Sequence, residues 1–270
     1  MTQEVKMHEN NKGFEWSMPD GPYEFLNPEQ IKSFDENGYT VIEDAFNPEE
    51  IEKVLEKIDP FEFNVTEALK GLDGGKFFIS RAEEITFTTH LVTQSEELKE
   101  FSKHEVFIGI CKDLIGDDVR LYWDQAVYKK PGTKDEFPWH QDNGYTFIEP
   151  QAYLTCWVAL TDTDETNGCP CVMPGMHKKG TLHHEMTDIG YEIPLDSSDS
   201  VVLPLKAGSI AVFSSLTPHR TGPNFNKGIR KAYILQYAPE GSRRLISHSL
   251  TEEVNEESRQ YFVIKNGSKV

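Results

Sequence analysis

Residues 118–130, "DVRLYWDQAVYKK", mark a change of texture in this chain. They are rich in β-branched and aromatic residues and read as a strand. The same texture recurs in "QAYLTCWVALTD" (151–162), "SVVLPL" (200–205), "GSIAVFSS" (208–215) and "RKAYILQYAP" (230–239). Gly, Pro, Asn and Asp turns separate these runs. Short antiparallel strands are therefore expected from about 117 to 240, as a β-sandwich or barrel core.

Upstream the pattern is helical. "NPEQIKSFDENG" has Asn27 as cap, Pro28 at the first helical position and Gly38 as stop. "YTVIE" (39–43) follows as a short strand. "NPEEIEKVLEKI" repeats the cap and Pro, and puts Ile51, Val54, Leu55 and Ile58 on one face. "HEVFIGICKDLIG" predicts a third helix ending at Gly116. The expected division is one domain over 1–270: an arm (1–24), a mainly helical part (25–116), the β core (117–240) and a C-terminal extension (241–270). The class is mainly β with flanking helices.

Composition narrows the partners. The chain has 270 residues and a formal net charge of −18. Such a surface repels nucleic acid and anionic lipid, so neither is an expected partner. No run of about 18 apolar residues suggests a membrane span, and no apolar leader is seen near the N-terminus. The four cysteines, Cys111, Cys156, Cys169 and Cys171, are too few for a disulfide scaffold, so reduced thiols in the cytoplasm are expected. Cys169-Pro170-Cys171 is a weak metal or redox signal without a second ligand pair. No Gly-rich phosphate loop appears. Oligomeric state is not legible here.

The chemistry centres on "PWHQDNGY" (138–145). On an extended strand, His140 and Asp142 share one face, with Trp139 and Gln141 on the other. A third ligand should come from another strand. His177, His183, His184, His219 and His248 are the later candidates. His219 stands out because it follows the apolar "GSIAVF" and precedes a Gly-Pro turn, whereas His183-His184 reads as charged surface. Two His and one carboxylate form the facial triad of non-haem Fe(II) oxygenases. A zinc site with the same donors competes, with Glu149 the nearest general base for a hydrolase. Arg230 opens a strand expected to lie beside that of His219, where its guanidinium could clamp a carboxylate. Thr221, two after His219, could add a hydroxyl. Iron would then call for a cosubstrate that chelates at one end and carries a carboxylate at the other, as 2-oxoglutarate does.

Taken in order, His140-x-Asp142, "NGCPCVMPGMH" (167–177), His219-x-Thr221 and Arg230 resemble the phytanoyl-CoA dioxygenase family over roughly residues 28–240. Met176 stands where that family's turn motif usually has Ser. The resemblance implies a double-stranded β-helix (jelly-roll, cupin-like) core, with Fe(II), O2 and 2-oxoglutarate as cosubstrate. It implies iron ligation by His140, Asp142 and His219, and cosubstrate binding by Arg230 and Thr221. Trp157 matches a position lining the cosubstrate pocket, and Gln125 is a candidate polar contact to either cosubstrate or substrate. Related halogenases have Ala or Gly at the position of Asp142, so a carboxylate there favours hydroxylation or a related oxidation. Asn143, Tyr145, Trp123 and Trp139 neighbour the triad in sequence and are candidates for the substrate side. Only Lys129-Lys130, Lys178-Lys179 and Arg243-Arg244 could serve a CoA thioester, so a small free metabolite is the expected substrate. The rivals are the same chemistry on an acyl-CoA, and a non-catalytic cupin-like metal or ligand-binding protein.

Overall fold

In a computed structural model covering residues 5–247 and 250–270, two antiparallel sheets face each other across a core. His248 lies outside the described residues. The larger sheet runs in the order Tyr39–Ile42, Ile210–Ser214, Leu154–Ala159, Arg230–Pro239, Val119–Lys129, Ile85–Thr89, then the short strands Ser80–Arg81 and Lys76–Phe77. The smaller sheet runs Val201–Val202, Pro170–Val172, His219–Thr221, Phe137–His140. This is the jelly-roll class that the motifs imply.

Period-two alternation assigns each side chain of the large sheet to one of two cores. Ala232 and Ile234, Trp157 and Ala159, Ala211 and Phe213 and Val127 point inward, where they meet Val172 and Phe137 of the small sheet. Their neighbours Tyr233, Leu235 and Tyr237, Cys156 and Val158, Ile210 and Val212 and Tyr128 point outward, against Phe34, Ile51, Val54, Ile58, Phe107 and Ile110 of the helices. The same parity places Arg230, Gln236, Thr155, Gln125 and Lys129 on the inward face. Five polar residues thus face the space between the sheets, which is where a site can be built.

The helices follow their caps. Pro28–Asn37 and Pro48–Lys70 both have an Asn N-cap in a capping box and Pro at the first turn. The second continues through Pro60 to Lys70, twelve residues past the "NPEEIEKVLEKI" stretch that ends at Ile58. Buried positions recur at Ile58, Glu62, Thr66 and Leu69, so the apolar face outlasts the one backbone bond that Pro60 removes. Glu105–Leu114 forms as expected, and Glu96–Phe101 was not anticipated. Two further features depart from the sequence reading. The mainly helical part also contributes the strands between Lys76 and Thr89. The C-terminal extension returns Phe262–Lys265 to the edge of Val119–Lys129.

On the helix side of the large sheet lies a buried carboxyl, Asp124. It accepts from the Val92 N–H and the Tyr233 hydroxyl, while its Oδ1 has no partner among the described residues. Burial, against these hydrogen bonds, pushes its pKa up to about 6. Between the ordinary value of 3.8 and about 6 the folded chain therefore binds more protons than the unfolded one. Stability is then expected to fall as pH rises through that window, by at most about 3 kcal/mol at 1.36 kcal/mol per unit. Asp124→Asn should flatten this slope and raise stability at pH 7.5, as read from denaturation midpoints between pH 4 and 8.

Candidate metal centre

His140 and His219 sit directly opposite each other on the paired strands Phe137–His140 and His219–Thr221, with ring centroids 4.1 Å apart. Asp142 is not on the strand with His140, as the i, i+2 reading expected. The chain leaves the sheet after His140, and Asp142 opens a one-turn helix, Asp142–Tyr145. That turn still brings its carboxylate to the rings: Oδ1 lies 3.8 Å from His140 Nε2 and 3.7 Å from His219 Nε2. One ligand atom from each of the three residues falls within 4.8 Å of the others, and the Asp142 separations of 3.8 and 3.7 Å lie inside the roughly 4.2 Å that two bonds of about 2.1 Å to a shared ion reach.

The second ring nitrogens explain how the rings are held. His140 Nδ1 faces the Pro138 carbonyl at 2.8 Å and His219 Nδ1 faces the Thr217 carbonyl at 3.0 Å. A carbonyl only accepts, so each Nδ1 carries the proton and each Nε2 presents a lone pair to the centre. Burial, and then the neighbouring His219, holds the His140 pKa well below its ordinary value, so that ring is neutral and fit to ligate. Asp142 Oδ2 accepts from the Thr155 hydroxyl, which itself accepts from Gln236 Nε2 at 3.2 Å. This leaves Oδ1 facing the rings. Thr155 and Gln236 were not anticipated. Their inward parity on the large sheet was the available signal.

Arg230 is 1% exposed. Its strand does not lie beside that of His219, as expected, but in the opposite sheet between Val119–Lys129 and Leu154–Ala159. The guanidinium reaches into the space between the sheets, 5.4 Å from the Trp157 ring centroid. Nη1 donates to the Val127 carbonyl at 3.3 Å, while Nε and Nη2 have no partner among the described residues. Burial lowers its pKa to about 10, so it stays cationic at neutral pH. Two buried, unpartnered donors on a cation are what a bidentate carboxylate would satisfy. Lys129, paired in register with Arg230, enters the sequence reading only as half of a basic pair and not as a group of this site. Its Nζ donates to Thr221 Oγ1 at 3.2 Å, to the Thr221 carbonyl at 3.3 Å and to the Gly222 carbonyl. Lys129 thus connects the strand of Arg230's neighbour to that of His219. Thr221 and His219 both face inward, about 7 Å apart along an extended strand. A five-carbon dicarboxylate has about that reach. The donor set therefore fits iron, and the Arg230 guanidinium fits the far carboxylate of 2-oxoglutarate.

Other sequence candidates divide. Trp123, Gln125 and Tyr145 line a cavity of about 490 Å3 that opens on His140 and Asp142. Asn143 does not line it. Its side chain is fully buried, donates to Thr181 Oγ1 at 2.6 Å and accepts from the Ile148 N–H at 3.0 Å, which fixes the turn after the triad. Trp139 is buried against Cys171 and Met173 and is likewise away from the cavity. Trp157 is 4% exposed, in the inter-sheet core beneath Arg230. His184 is not surface: its Nε2 accepts the Gln141 N–H at 2.9 Å. Cys169 and Cys171 are buried and free, and lie outside the three-ligand group. Glu149 does not line the cavity.

A model of phytanoyl-CoA dioxygenase (PhyH) matches residues 34–232. The chain belongs to the phytanoyl-CoA dioxygenase family. It is 24% identical over 227 residues to a probable alpha-ketoglutarate-dependent hypophosphite dioxygenase of Stutzerimonas stutzeri, covering 78% of each chain. It is 25% identical over 248 residues to the phytanoyl-CoA dioxygenase of Arabidopsis thaliana, covering 78% of this chain and 88% of that one. Among solved structures, the non-heme alpha ketoglutarate dependent carbocyclase SnoK from nogalamycin biosynthesis superposes with a TM-score of 0.67 at 20% identity, over 83% and 88% of the two chains. With this family, the chain is a non-haem iron, 2-oxoglutarate-dependent dioxygenase.

Proposed function

We propose that the enzyme hydroxylates a C–H bond of a small molecule that carries no CoA, with His140, Asp142 and His219 as the iron ligands and Arg230 as the cosubstrate clamp. The observation that carries this reading is the joint placement of a three-ligand cluster and a buried guanidinium with two unpartnered nitrogens between the same sheets. Bound iron and 2-oxoglutarate supply O2-dependent C–H oxidation, with succinate and CO2 as coproducts. The chain's own part is geometric. Pro138 and Thr217 carbonyls hold the two imidazoles with Nε2 inward. Thr155 aims Asp142. Arg230 and Thr221 hold the far carboxylate, and the cavity walls keep water from the reacting carbon. A carboxylate at 142 fills the position that a halide would need, so the reading is hydroxylation.

Most of the basic residues that the sequence offers to an acyl-CoA are already engaged. Lys129 is used inside the fold, Lys130 pairs with Glu62, and Arg243 and Arg244 pair with Glu253 and Glu252. Lys178 lies 4.0 Å from Asp35. A reducing, cytoplasmic setting fits four free, buried cysteines.

The test is succinate formation. Purified protein loaded anaerobically with Fe(II) and 2-oxoglutarate is mixed with O2 and a metabolite pool, then read by mass spectrometry. Iron-dependent succinate with one metabolite gaining one oxygen is expected. Failure of the iron-loaded protein to bind 2-oxoglutarate would sink the assignment.

A further inference from the structure

We infer that the substrate is an uncharged, flat ring system, held between aromatic side chains above the triad. This rests on the reading of the triad as the iron centre and adds a substrate class to it. The cavity of about 490 Å3 is of the size that takes a drug-sized ligand. Its walls are aromatic: Phe77, Phe78, Phe87, Trp123, Tyr145 and Tyr191 all line it. Tyr145 stands edge-on to both His140 and Tyr191, at centroid distances of 5.3 and 5.2 Å. Its ring therefore forms a fixed wall next to the metal-binding face. Offset stacking and edge contacts reward a flat ring between such walls.

Among the described residues no lysine or arginine lines the cavity, and the only ionisable groups there besides phenols are His140 and Asp142, which the iron site uses. The arginines nearby are already matched. Arg81 is held by Glu84 and Asp135, Arg244 by Glu252 and Arg259 by Glu256. An anion such as hypophosphite or a CoA diphosphate would meet no cationic side chain on this wall, and the charge of the iron is already offset by Asp142 and the 2-oxoglutarate it binds. Neutral oxygens are provided for, since Gln125, Gln236, Thr89 and Thr146 are on the wall.

The rim points the same way. The hairpin of Lys76–Phe77 and Ser80–Arg81 carries Phe77 and Phe78, which are 71% and 56% exposed. Phe78 holds φ +50, a left-handed conformation that a bulky residue adopts at a cost. Two exposed aromatic rings on a strained turn at a cavity mouth form an apolar rim that a bound ring would cover.

The test compares two probes with one ring skeleton. N-phenyl-1-naphthylamine is neutral, and 1-anilinonaphthalene-8-sulfonate adds one negative charge. Each is titrated by fluorescence into the full chain loaded with Fe(II) and 2-oxoglutarate without O2. The neutral probe should bind at least tenfold more tightly. Phe77→Ala with Phe78→Ala should weaken it about tenfold, and Tyr191→Ala, which alters a separate lining residue, should weaken it as well. The 2-oxoglutarate affinity of each variant serves as the folding control. Equal or tighter binding of the sulfonate, or neutral-probe binding indifferent to both variants, would overturn the substrate class. Loss of 2-oxoglutarate binding by the unaltered chain would instead overturn the iron-centre reading, and this inference with it.

Discussion

Asp142→Ala is expected to lower iron affinity and iron-dependent succinate formation by more than about 100-fold. Removing an outer group that only orients a ligand already costs 10–100-fold, so removing a ligand should cost more. The carboxylate is also the only anion in the three-ligand group, and two neutral imidazoles alone hold a dication weakly. The fold should tolerate the change. Asp142 sits on a one-turn helix, and the change removes one side-chain hydrogen bond, from Thr155, whose oxygen keeps the bond it accepts from Gln236 Nε2. Calorimetric iron titration next to a thermal melt separates the two effects. A lost fold with retained iron affinity would show that Asp142 is structural rather than a ligand. Asp142→Asn keeps the shape and removes the charge, and it should fall between the alanine variant and the unaltered chain.

The sequence was most informative where order is local. Alternation in 230–239 and 151–162 was enough to write these segments as strands, and their parity already decided that Arg230 faces the same way as Ala232 and Ile234. The caps at Asn27 and Asn47 located two helix starts. What escaped depends on partners distant in the chain. His184 read as surface because its burial comes from Gln141, 43 residues away. The strand of Arg230 was set beside that of His219, because proximity in sequence does not say which sheet a strand joins. Lys129 looked like half of a basic surface pair, yet Thr221 and Gly222, more than ninety residues on, take all its hydrogen bonds. The i, i+2 rule brought His140 and Asp142 to one point by a different route, a strand end followed by a helical turn. The Phe77-Phe78 hairpin gave no motif, since its meaning lies in the cavity it borders.

Arg230→Met is expected to move two measurements in opposite directions. The 2-oxoglutarate Kd should rise about 100-fold or more, because losing one partner of a buried, hydrogen-bonded charge pair costs 2–5 kcal/mol and each 1.4 kcal/mol is tenfold. The cosubstrate-free chain should become more stable, by about 1–3 kcal/mol. In the free protein this guanidinium is 1% exposed with two nitrogens unpartnered, and Lys129 adds a neighbouring basic group in register. Replacing such a charge by an apolar side chain of similar length removes a desolvation cost that one hydrogen bond to Val127 and the Trp157 ring offset only in part. The Met side chain can also occupy the space over Trp157. Arg230→Lys should fail as a rescue, since one ammonium cannot reproduce the two-pronged donor to a carboxylate. Urea denaturation of the free chain and 2-oxoglutarate titration by calorimetry give the pair of values. A variant that loses stability along with affinity would mean that Arg230 holds the sheets together. A variant that gains stability and loses affinity would mean that its burial, unfavourable in the free chain, is maintained for the anion it binds.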